Sequence, residues 1–304
     1  MIARPAGWLM LVAVACVSAG CRGENRDRGD LARSLPPIFP SGPASTNWNP
    51  DAGPMMIVST GRHDTVGVVL PEATDSTIES LQGITAPVTG LRFDLFGRAG
   101  KSASAIAVTP VIKVDTAQEC YSWPLAKVQS SRADWRVGFV SGRVQPIPLD
   151  SIEAMSSADS SVLAVSLAQT AATLLAASDP TFRGLPFRVR SAYRFRLDSL
   201  DVVIADVVRS VNEEANPRVE HLLIVGEKAH GLGGKFAVGY YSRTAGKEES
   251  VRVTEMLTVV RIAVSDRPVV VVNIEYDDGG KLGLIERSGP GEWRATWRSA
   301  YTDC

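Results

Sequence analysis

The chain has 304 residues, of which 45% are hydrophobic, 21% are charged and 7% are aromatic. Lysine and arginine number 32 against 33 aspartates and glutamates, which leaves a formal net charge of −1. These values are typical of a globular protein and exclude wholesale disorder, a collagen-like repeat and a polytopic membrane protein. Because a general nucleic-acid binder needs a strong basic excess, we expect no nucleic-acid partner.

Residues 1–20 form a predicted signal peptide. Arg4 precedes an apolar run at residues 8–17, which is shorter than the about 20 apolar residues that a membrane-spanning helix needs. Small residues fill positions 18–20, and Cys21 comes directly after them. This arrangement resembles the lipobox of bacterial lipoproteins, although serine occupies position 18, where leucine is common.

The resemblance implies that Cys21 becomes the lipid-modified amino terminus, so that acyl chains hold the protein on a membrane. Position 22 is arginine. Aspartate at that position retains Gram-negative lipoproteins in the inner membrane, so the resemblance implies an outer-membrane protein that faces the periplasm or the cell surface. The alternative is an ordinary secretory signal that leaves Cys21 as a thiol. The rest of the chain resembles uncharacterised bacterial lipoproteins, which implies no activity.

The remaining cysteines predict a disulfide. Cys16 lies in the predicted signal peptide and Cys21 in the lipobox, so Cys120 and Cys304 remain as a pair in an oxidising compartment. A Cys120–Cys304 disulfide would close a long loop and stabilise the fold by at most about 4–5 kcal/mol if loop entropy alone decides. The alternative is two separately buried thiols.

Residues 21–56 form a predicted tether. The segment keeps neither helical nor strand periodicity and is rich in proline. Its prolines are Pro36, Pro37, Pro40, Pro43, Pro50 and Pro54. A semi-extended chain of this composition would hold the folded part away from the membrane.

Residues 57–149 form a predicted β-rich region. Short apolar runs alternate with glycine, proline and aspartate, a pattern typical of strands in hairpins. The runs lie at residues 56–59, 66–70, 91–96, 105–114 and 135–140.

Residues 150–180 form a predicted helical segment. Asp150 and Glu153 have the spacing of a capping box, and the second part of the segment is uncharged up to Ser178. Together these features predict a helix over residues 150–177, broken near 157–159, that packs on a sheet. Four of its apolar residues share one helical stripe: Leu163, Leu167, Ala171 and Leu174.

Residues 181–304 form a predicted antiparallel β-meander. Apolar runs follow one another at short spacing, and Asp278-Gly279 is a hairpin signal. Trp293 and Trp297 are four residues apart, so strand alternation places both rings on one face, in the core. The fold class is therefore predicted as α+β, mainly antiparallel β, with a strand-rich N-terminal half and a central helical segment. The runs lie at residues 187–197, 201–211, 219–225, 236–242, 250–262, 269–276, 282–287 and 292–298.

One predicted strand carries four arginines that alternate with apolar residues, which places all four on one face. They are Arg188, Arg190, Arg194 and Arg196. Guanidinium groups on one face need acids or an anionic ligand opposite them. Cross-strand acids such as Asp206, Glu213 or Glu220 are the favoured explanation. The alternative is a binding surface for an anionic ligand or envelope protein partner: a carboxylate, a phosphate-bearing glycan or an acidic protein.

Two glycine-rich segments resemble phosphate sites only superficially. Residues 97–102 have Leu95 where a phosphate loop requires glycine, so they predict a hairpin turn. Residues 227–235 combine glycines with Lys228, His230 and Lys235. We interpret them as an ordinary inter-strand loop, with an anion site as the alternative.

The sequence contains no recognisable catalytic motif. Its three histidines, His63, His221 and His230, lack metal-ligand spacing, and no serine has the glycine-flanked pattern of a hydrolase nucleophile. We therefore expect no metal, no cofactor, and a non-catalytic binding or structural role in the cell envelope. The alternative is an extracytoplasmic hydrolase whose dispersed carboxylates meet in the fold.

Overall fold

The structure is a computed structural model that describes residues 56–71, 73–75, 88–109, 123–130, 134–174, 180–211, 216–231, 235–263, 265–276 and 278–302. The predicted signal peptide, the lipobox and the tether up to residue 55 lie outside these ranges, and so do Cys120 and Cys304. The described part of the chain is mainly antiparallel β with one α-helix, which confirms the predicted fold class.

Six strands of the N-terminal half close into an antiparallel barrel. They are β1 (Met56–Ser59), β2 (Thr65–Val69), β3 (Arg92–Gly97), β4 (Gly100–Ala107), β5 (Leu125–Ser130) and β6 (Val137–Val140). Their order around the barrel is β1-β2-β5-β4-β3-β6, and pairing of β6 with β1 closes it. The sequence prediction missed β5, because Lys127 and Gln129 interrupt its apolar residues.

Closure of the barrel depends on a glycine in β6. Gly138 pairs with Ile57 of β1 on one side and with Leu95 of β3 on the other. A Cβ atom on Gly138 would lie 2.8 Å from Ile57 Cγ1 and 2.8 Å from Leu95 Cδ2. Both neighbours are fully buried in the barrel core. A larger residue at this position would therefore overpack the interior.

The remaining strands form two five-stranded antiparallel sheets. They are β7 (Val144–Pro146), β8 (Asp150–Ser151), β9 (Arg188–Leu197), β10 (Leu200–Val211), β11 (Arg218–Ala229), β12 (Ala237–Lys247), β13 (Val253–Ile262), β14 (Pro268–Tyr276), β15 (Gly279–Gly289) and β16 (Glu292–Arg298). The helix-side sheet has the order β12-β11-β10-β9-β8, and the barrel-side sheet has the order β16-β15-β14-β13-β7. The predicted meander is thus present but divided between two sheets.

Helix α1 (Ser157–Leu174) begins later than predicted. The Ser156 hydroxyl accepts a hydrogen bond from the Asp159 amide at 3.2 Å and donates one to the Asp159 carboxylate at 2.8 Å. This cap fixes the start of the helix, whereas residues 150–154 form β8 and a 3₁₀ turn, so the predicted start at residue 150 is wrong. Three residues of the predicted stripe are buried as expected: Leu163, Leu167 and Ala171. Short 3₁₀ turns lie at Ile152–Ala154, Pro180–Phe182 and Glu248–Ser250.

Three hydrophobic cores join four layers. The barrel interior continues onto one face of the barrel-side sheet, where Leu257, Val260 and Trp297 contribute to it. A second core lies between the two sheets and contains Phe195 and Trp293, whose rings meet edge to face with centroids 6.4 Å apart. A third core lies between the helix-side sheet and α1. The layers are therefore barrel, barrel-side sheet, helix-side sheet and helix.

Trp293 and Trp297 lie in different cores, so the prediction that they share a face is wrong. Ala295 and Trp297 pair with consecutive residues of β15, which leaves Thr296 as the extra residue of a β-bulge. A bulge shifts strand alternation by one residue. Trp293 therefore faces the helix-side sheet and Trp297 faces the barrel. Both rings are buried, as predicted.

A buried glutamate connects the two sheets. Glu227 of β11 accepts hydrogen bonds from Arg287 Nε at 2.7 Å, from Trp293 Nε1 at 2.7 Å and from the Gly291 amide at 3.0 Å. Burial favours the protonated carboxyl group, but these hydrogen bonds and the charge of Arg287 outweigh it and hold the pKa of Glu227 below its ordinary value of 4.5. The hydrogen bond to Glu227 also raises the pKa of Arg287. The pair therefore stays charged in the folded protein.

We expect Glu227→Gln to destabilise the fold by about 3 kcal/mol near neutral pH, because Arg287 keeps its charge but loses the carboxylate. The folded-state pKa of Glu227 lies below 4.5, so the ionised carboxylate contributes its full stability above that pH. This stability is lost as the pH falls through the folded-state pKa. Urea denaturation should therefore show the difference between wild type and variant shrinking from about pH 7 to about pH 3.

Glu153 provides a matched control because it is an exposed glutamate. We expect Glu153→Gln to change the free energy of unfolding by less than about 0.5 kcal/mol. Equal losses in the two variants, or a loss at Glu227 that does not depend on pH, contradict the assigned role of Glu227.

Candidate functional site

An open groove of about 740 Å³ lies at the seam between the barrel and the barrel-side sheet. This volume is in the range of small-molecule sites, about 300–1,000 Å³. Its described lining residues from the barrel are Val58, Ser59, Thr60, Gly61, Gly67, Trp123, Leu125, Asp134, Trp135 and Arg136. Those from the sheet side are Leu257, Asn273, Gly279, Gly280, Lys281, Leu282 and Thr302.

The groove has a mixed lining of polar and apolar residues, and its apolar part includes two tryptophans. Trp123 and Trp135 are only 6% and 3% exposed, and Leu257 and Leu282 are also buried. Gly67 makes room for the first of these tryptophans, because a Cβ atom on Gly67 would lie 3.2 Å from Trp123 Cβ. The groove can therefore receive an apolar ring or chain against fixed side chains.

Hydrogen bonds fix the wall of the groove that the barrel-side sheet provides. The Lys281 ammonium lies 2.5 Å from one oxygen of Asp75, and the other oxygen accepts the Tyr301 amide at 2.7 Å. Gly280 and Thr302 exchange two backbone hydrogen bonds of 2.7 and 3.0 Å. Residues that precede β15 in the sequence (Asp75) and residues that follow it (Tyr301 and Thr302) therefore hold this wall in place. The wall is formed before a ligand arrives.

The groove is suited to non-covalent binding. Asp134 is the one carboxylate among its described lining residues, and no histidine or cysteine belongs to that lining. Glycoside hydrolysis needs two carboxyl groups on opposite sides of the bond that is cut. Arg136 adds a cationic group to the lining, whereas the charge of Lys281 is paired with Asp75. An amphipathic molecule with an anionic group matches this combination.

The four arginines of β9 lie on two faces, so the prediction of one shared face is wrong. Consecutive residues of β10 pair with residues 189 and 191, which leaves Arg190 as the extra residue of a β-bulge. Arg188 and Arg190 therefore lie on the face toward the barrel-side sheet, and Arg194 and Arg196 lie on the face toward α1. In agreement with this shift, Val189 packs in the core beneath α1.

Among the described residues, two of these arginines have carboxylate partners. Arg190 NH1 lies 3.4 Å from Asp206, one of the acids expected from the sequence, and Asp206 is only 7% exposed. Asp206 also contacts His221 Nδ1 at 3.3 Å. Arg194 NH2 lies 3.6 Å from the exposed carboxylate of Asp150.

Glu220, a second acid expected to face these arginines, has other partners. It is fully buried between Arg209, with which it pairs directly across β10 and β11, and Arg243, whose NH2 lies 2.5 Å away. The Arg209 guanidinium also lies 4.5 Å above the Phe187 ring. This cluster stabilises one end of the core beneath α1. Glu213, the third expected acid, lies outside the described residues.

Arg196 contacts a histidine. His230 Nδ1 lies 2.8 Å from Asp201 Oδ1, and its Nε2 lies 2.7 Å from Arg196 NH2. A carboxylate only accepts hydrogen bonds and a guanidinium only donates them. The geometry therefore places the imidazole hydrogen on Nδ1 and leaves Nε2 as an acceptor. Arg196 and His230 lie in separate segments of the sequence, and the fold brings them together.

The two glycine-rich segments have different outcomes. Gly97 pairs with Gly100, which confirms the predicted hairpin turn at residues 97–102. In the second segment, residues 232–234 lie outside the described part of the chain. The Lys228 ammonium lies 4.8 Å from the centre of the Phe236 ring.

Within the described residues, no group of three or more histidine, cysteine, aspartate or glutamate side chains is placed to hold a metal ion. The same part of the chain contains no helix long and apolar enough to cross a membrane. No protein-family model, curated protein or solved structure matches the chain. Its function must therefore be inferred from its own residues and geometry.

The bulge predicts unequal roles for two arginines of β9. We expect Arg190→Ala to lower the free energy of unfolding by about 1 kcal/mol, because the buried Asp206 loses a charged partner. Arg194→Ala removes a surface ion pair and should cost less than about 0.5 kcal/mol. Urea denaturation of both single variants and of the double variant tests this difference. A larger loss for Arg194→Ala contradicts the assigned faces.

Proposed function

We propose that this chain is a lipid-anchored protein of the bacterial cell envelope that binds a small amphipathic ligand without converting it. The groove at the seam of barrel and barrel-side sheet is the proposed binding site. The observation that carries the proposal is the preformed groove of about 740 Å³ whose lining includes two buried tryptophans and Arg136. Its described lining has a single carboxylate, which favours binding over hydrolysis.

The sequence supports the location. Small residues at positions 18–20 precede Cys21 as in a lipobox, and proline-rich residues follow it. Acyl chains on Cys21 would hold the protein on the membrane, and the tether would allow the groove to face the aqueous compartment. Arg22 favours the outer membrane over the inner membrane.

The proposed Cys120–Cys304 disulfide has indirect support from the groove. Trp123 and Thr302 are the described residues nearest to these cysteines in the sequence, and both line the groove. Each cysteine is therefore within three residues of a groove-lining residue, and a disulfide requires Cα atoms less than about 7 Å apart.

The groove is tested with 8-anilinonaphthalene-1-sulfonate, which combines apolar rings with an anionic group. We expect the folded protein to bind one dye molecule with enhanced emission that is excited through tryptophan. Thr60→Trp places a bulky ring at the groove and should reduce the enhancement at least about twofold, because the apolar lining becomes inaccessible.

Val108→Trp is the matched control, since Val108 is 50% exposed and does not line the groove. This variant should bind the dye as the wild type does. Equal dye binding by wild type and Thr60→Trp, with both folded by circular dichroism, contradicts the groove as the binding site.

The membrane anchor is tested separately with Cys21→Ser. In a bacterial host that modifies lipoproteins, we expect this variant to leave the membrane fraction and to retain the circular dichroism spectrum of a folded body. Cys304→Ser changes a cysteine outside the lipobox and should remain in the membrane fraction. Continued sedimentation of Cys21→Ser with the membranes contradicts the lipid anchor.

A further inference from the structure

A second polar cluster lies on the helix-side sheet, apart from the groove residues. Arg196 of β9, Asp201 of β10 and His230 after β11 form a continuous chain of hydrogen bonds. The Asp201 side chain is 9% exposed and the His230 side chain is 44% exposed. The buried carboxylate therefore holds one edge of the imidazole, while the other edge, with Nε2, faces Arg196 at the surface.

The pairing at Nε2 holds only for the neutral imidazole. Nε2 accepts a hydrogen bond from Arg196 at 2.7 Å. When a proton binds Nε2, both ring nitrogens become donors, and an N–H of the ring then opposes an N–H of the guanidinium. Two cationic donors at this separation repel each other, and an anionic oxygen between them would accept a hydrogen bond from both.

Charges around the cluster favour an anion. Asp201 pairs across the sheet with Arg196 on one side and with Lys228 on the other, and its Oδ1 accepts from His230. At this end of the helix-side sheet, the described charged groups on the face toward α1 are Arg194 and Arg196 of β9, Asp201 of β10 and Lys228 of β11. Asp198 lies in the β9–β10 hairpin, Lys235 lies before β12, and Glu227 of β11 lies on the opposite face. Arg194 is matched by Asp150. The surface part of the cluster is therefore cationic once His230 is protonated.

We propose that Arg196 and protonated His230 form a binding site for an oxyanion, which inserts between the guanidinium and Nε2. The proton comes from solvent and binds the Nε2 lone pair, and no other bond is made or broken. The imidazole keeps its Nδ1 hydrogen bond to Asp201. When His230 is neutral, its Nε2 contacts Arg196 directly and leaves no room for an anion. When His230 is protonated, this contact is lost and the anion can bind between the two groups.

This site is independent of the proposed function of the groove. Of the four arginines that the sequence singled out, it uses Arg196, for which no carboxylate partner is seen among the described residues. Proton uptake and anion binding are linked, so each must strengthen the other by the same factor. Anion affinity should therefore rise as the pH falls.

The test uses the full mature chain in detergent, labelled with ¹³C in its histidines. Three histidines give three ring signals, and comparison with His230→Gln identifies the one from His230. Sodium sulfate is the probe, because its charge is constant across this pH range, and sodium chloride keeps the ionic strength fixed. We expect sulfate to shift the His230 signal saturably, with at least roughly fivefold tighter binding at about pH 5.5 than at about pH 8.

Two variants of one strand separate a specific site from general charge. Arg196→Gln should weaken sulfate binding at about pH 5.5 at least roughly fivefold. Arg188→Gln removes the same charge from an exposed position on the other face of β9 and should leave the affinity unchanged. Arg196→Lys keeps the charge but loses the planar donor fork, so it should bind with intermediate affinity.

Several results would overturn the proposal. Sulfate binding that does not depend on pH removes the role of His230. Equal weakening in Arg196→Gln and Arg188→Gln shows general charge screening instead of a site. Absence of a saturable shift at His230 removes the site altogether. None of these results concerns the groove, whose dye binding is measured separately.

The source of the oxyanion is then identified by competition. Vesicles of phosphatidylglycerol that displace sulfate, where phosphatidylcholine vesicles do not, assign the site to an anionic lipid phosphate. Displacement by inorganic phosphate without an effect of either vesicle assigns it to a soluble anion.

Discussion

The ion pair between Glu227 and Arg287 is the contact on which the arrangement of the two sheets depends. A buried carboxylate is costly unless all its lone pairs are satisfied, and here Trp293 Nε1 and the Gly291 amide supply the additional donors. These donors come from β15, β16 and the turn between them, so only one placement of the two sheets satisfies the charge. Gly239 strengthens this requirement, because a Cβ atom there would lie 2.7 Å from the Gly291 carbonyl oxygen.

The groove follows from the position of the barrel-side sheet between two partners. This sheet is buried on both faces, which explains the continuous run of buried valines from Val269 to Val272 in β14. One face is fixed against the helix-side sheet, and the other packs on a closed barrel. A curved wall cannot follow a sheet along its whole length. Trp123 and Trp135 border the space that remains between the two surfaces.

Sequence periodicity located most strands but did not reveal how their faces are arranged. Apolar runs predicted β1 and β16 with their observed bounds. The predicted faces were wrong at two β-bulges, whose extra residues are Arg190 and Thr296. Beyond each bulge, every side chain lies on the face opposite to the predicted one. A local sign of the first bulge exists, since Ser191 and the buried Ala192 reverse the alternation of polar and apolar residues. No local sequence pattern could have predicted the groove, because its lining residues are spread along the chain from Val58 to Thr302.

The Asp201 contacts show why acid–arginine pairing could not be predicted from strand order alone. The Leu197–Leu200 pair makes the β9–β10 connection a two-residue turn, and this register places Asp201 directly opposite Arg196. A cross-strand ion pair is then the simplest expectation. Instead, His230 reaches the hairpin through a 2.8 Å hydrogen bond from its amide to the Ser199 carbonyl. Its ring then lies between the two charges. His230 therefore separates the Asp201 carboxylate from the Arg196 guanidinium and forms a hydrogen bond with each of them.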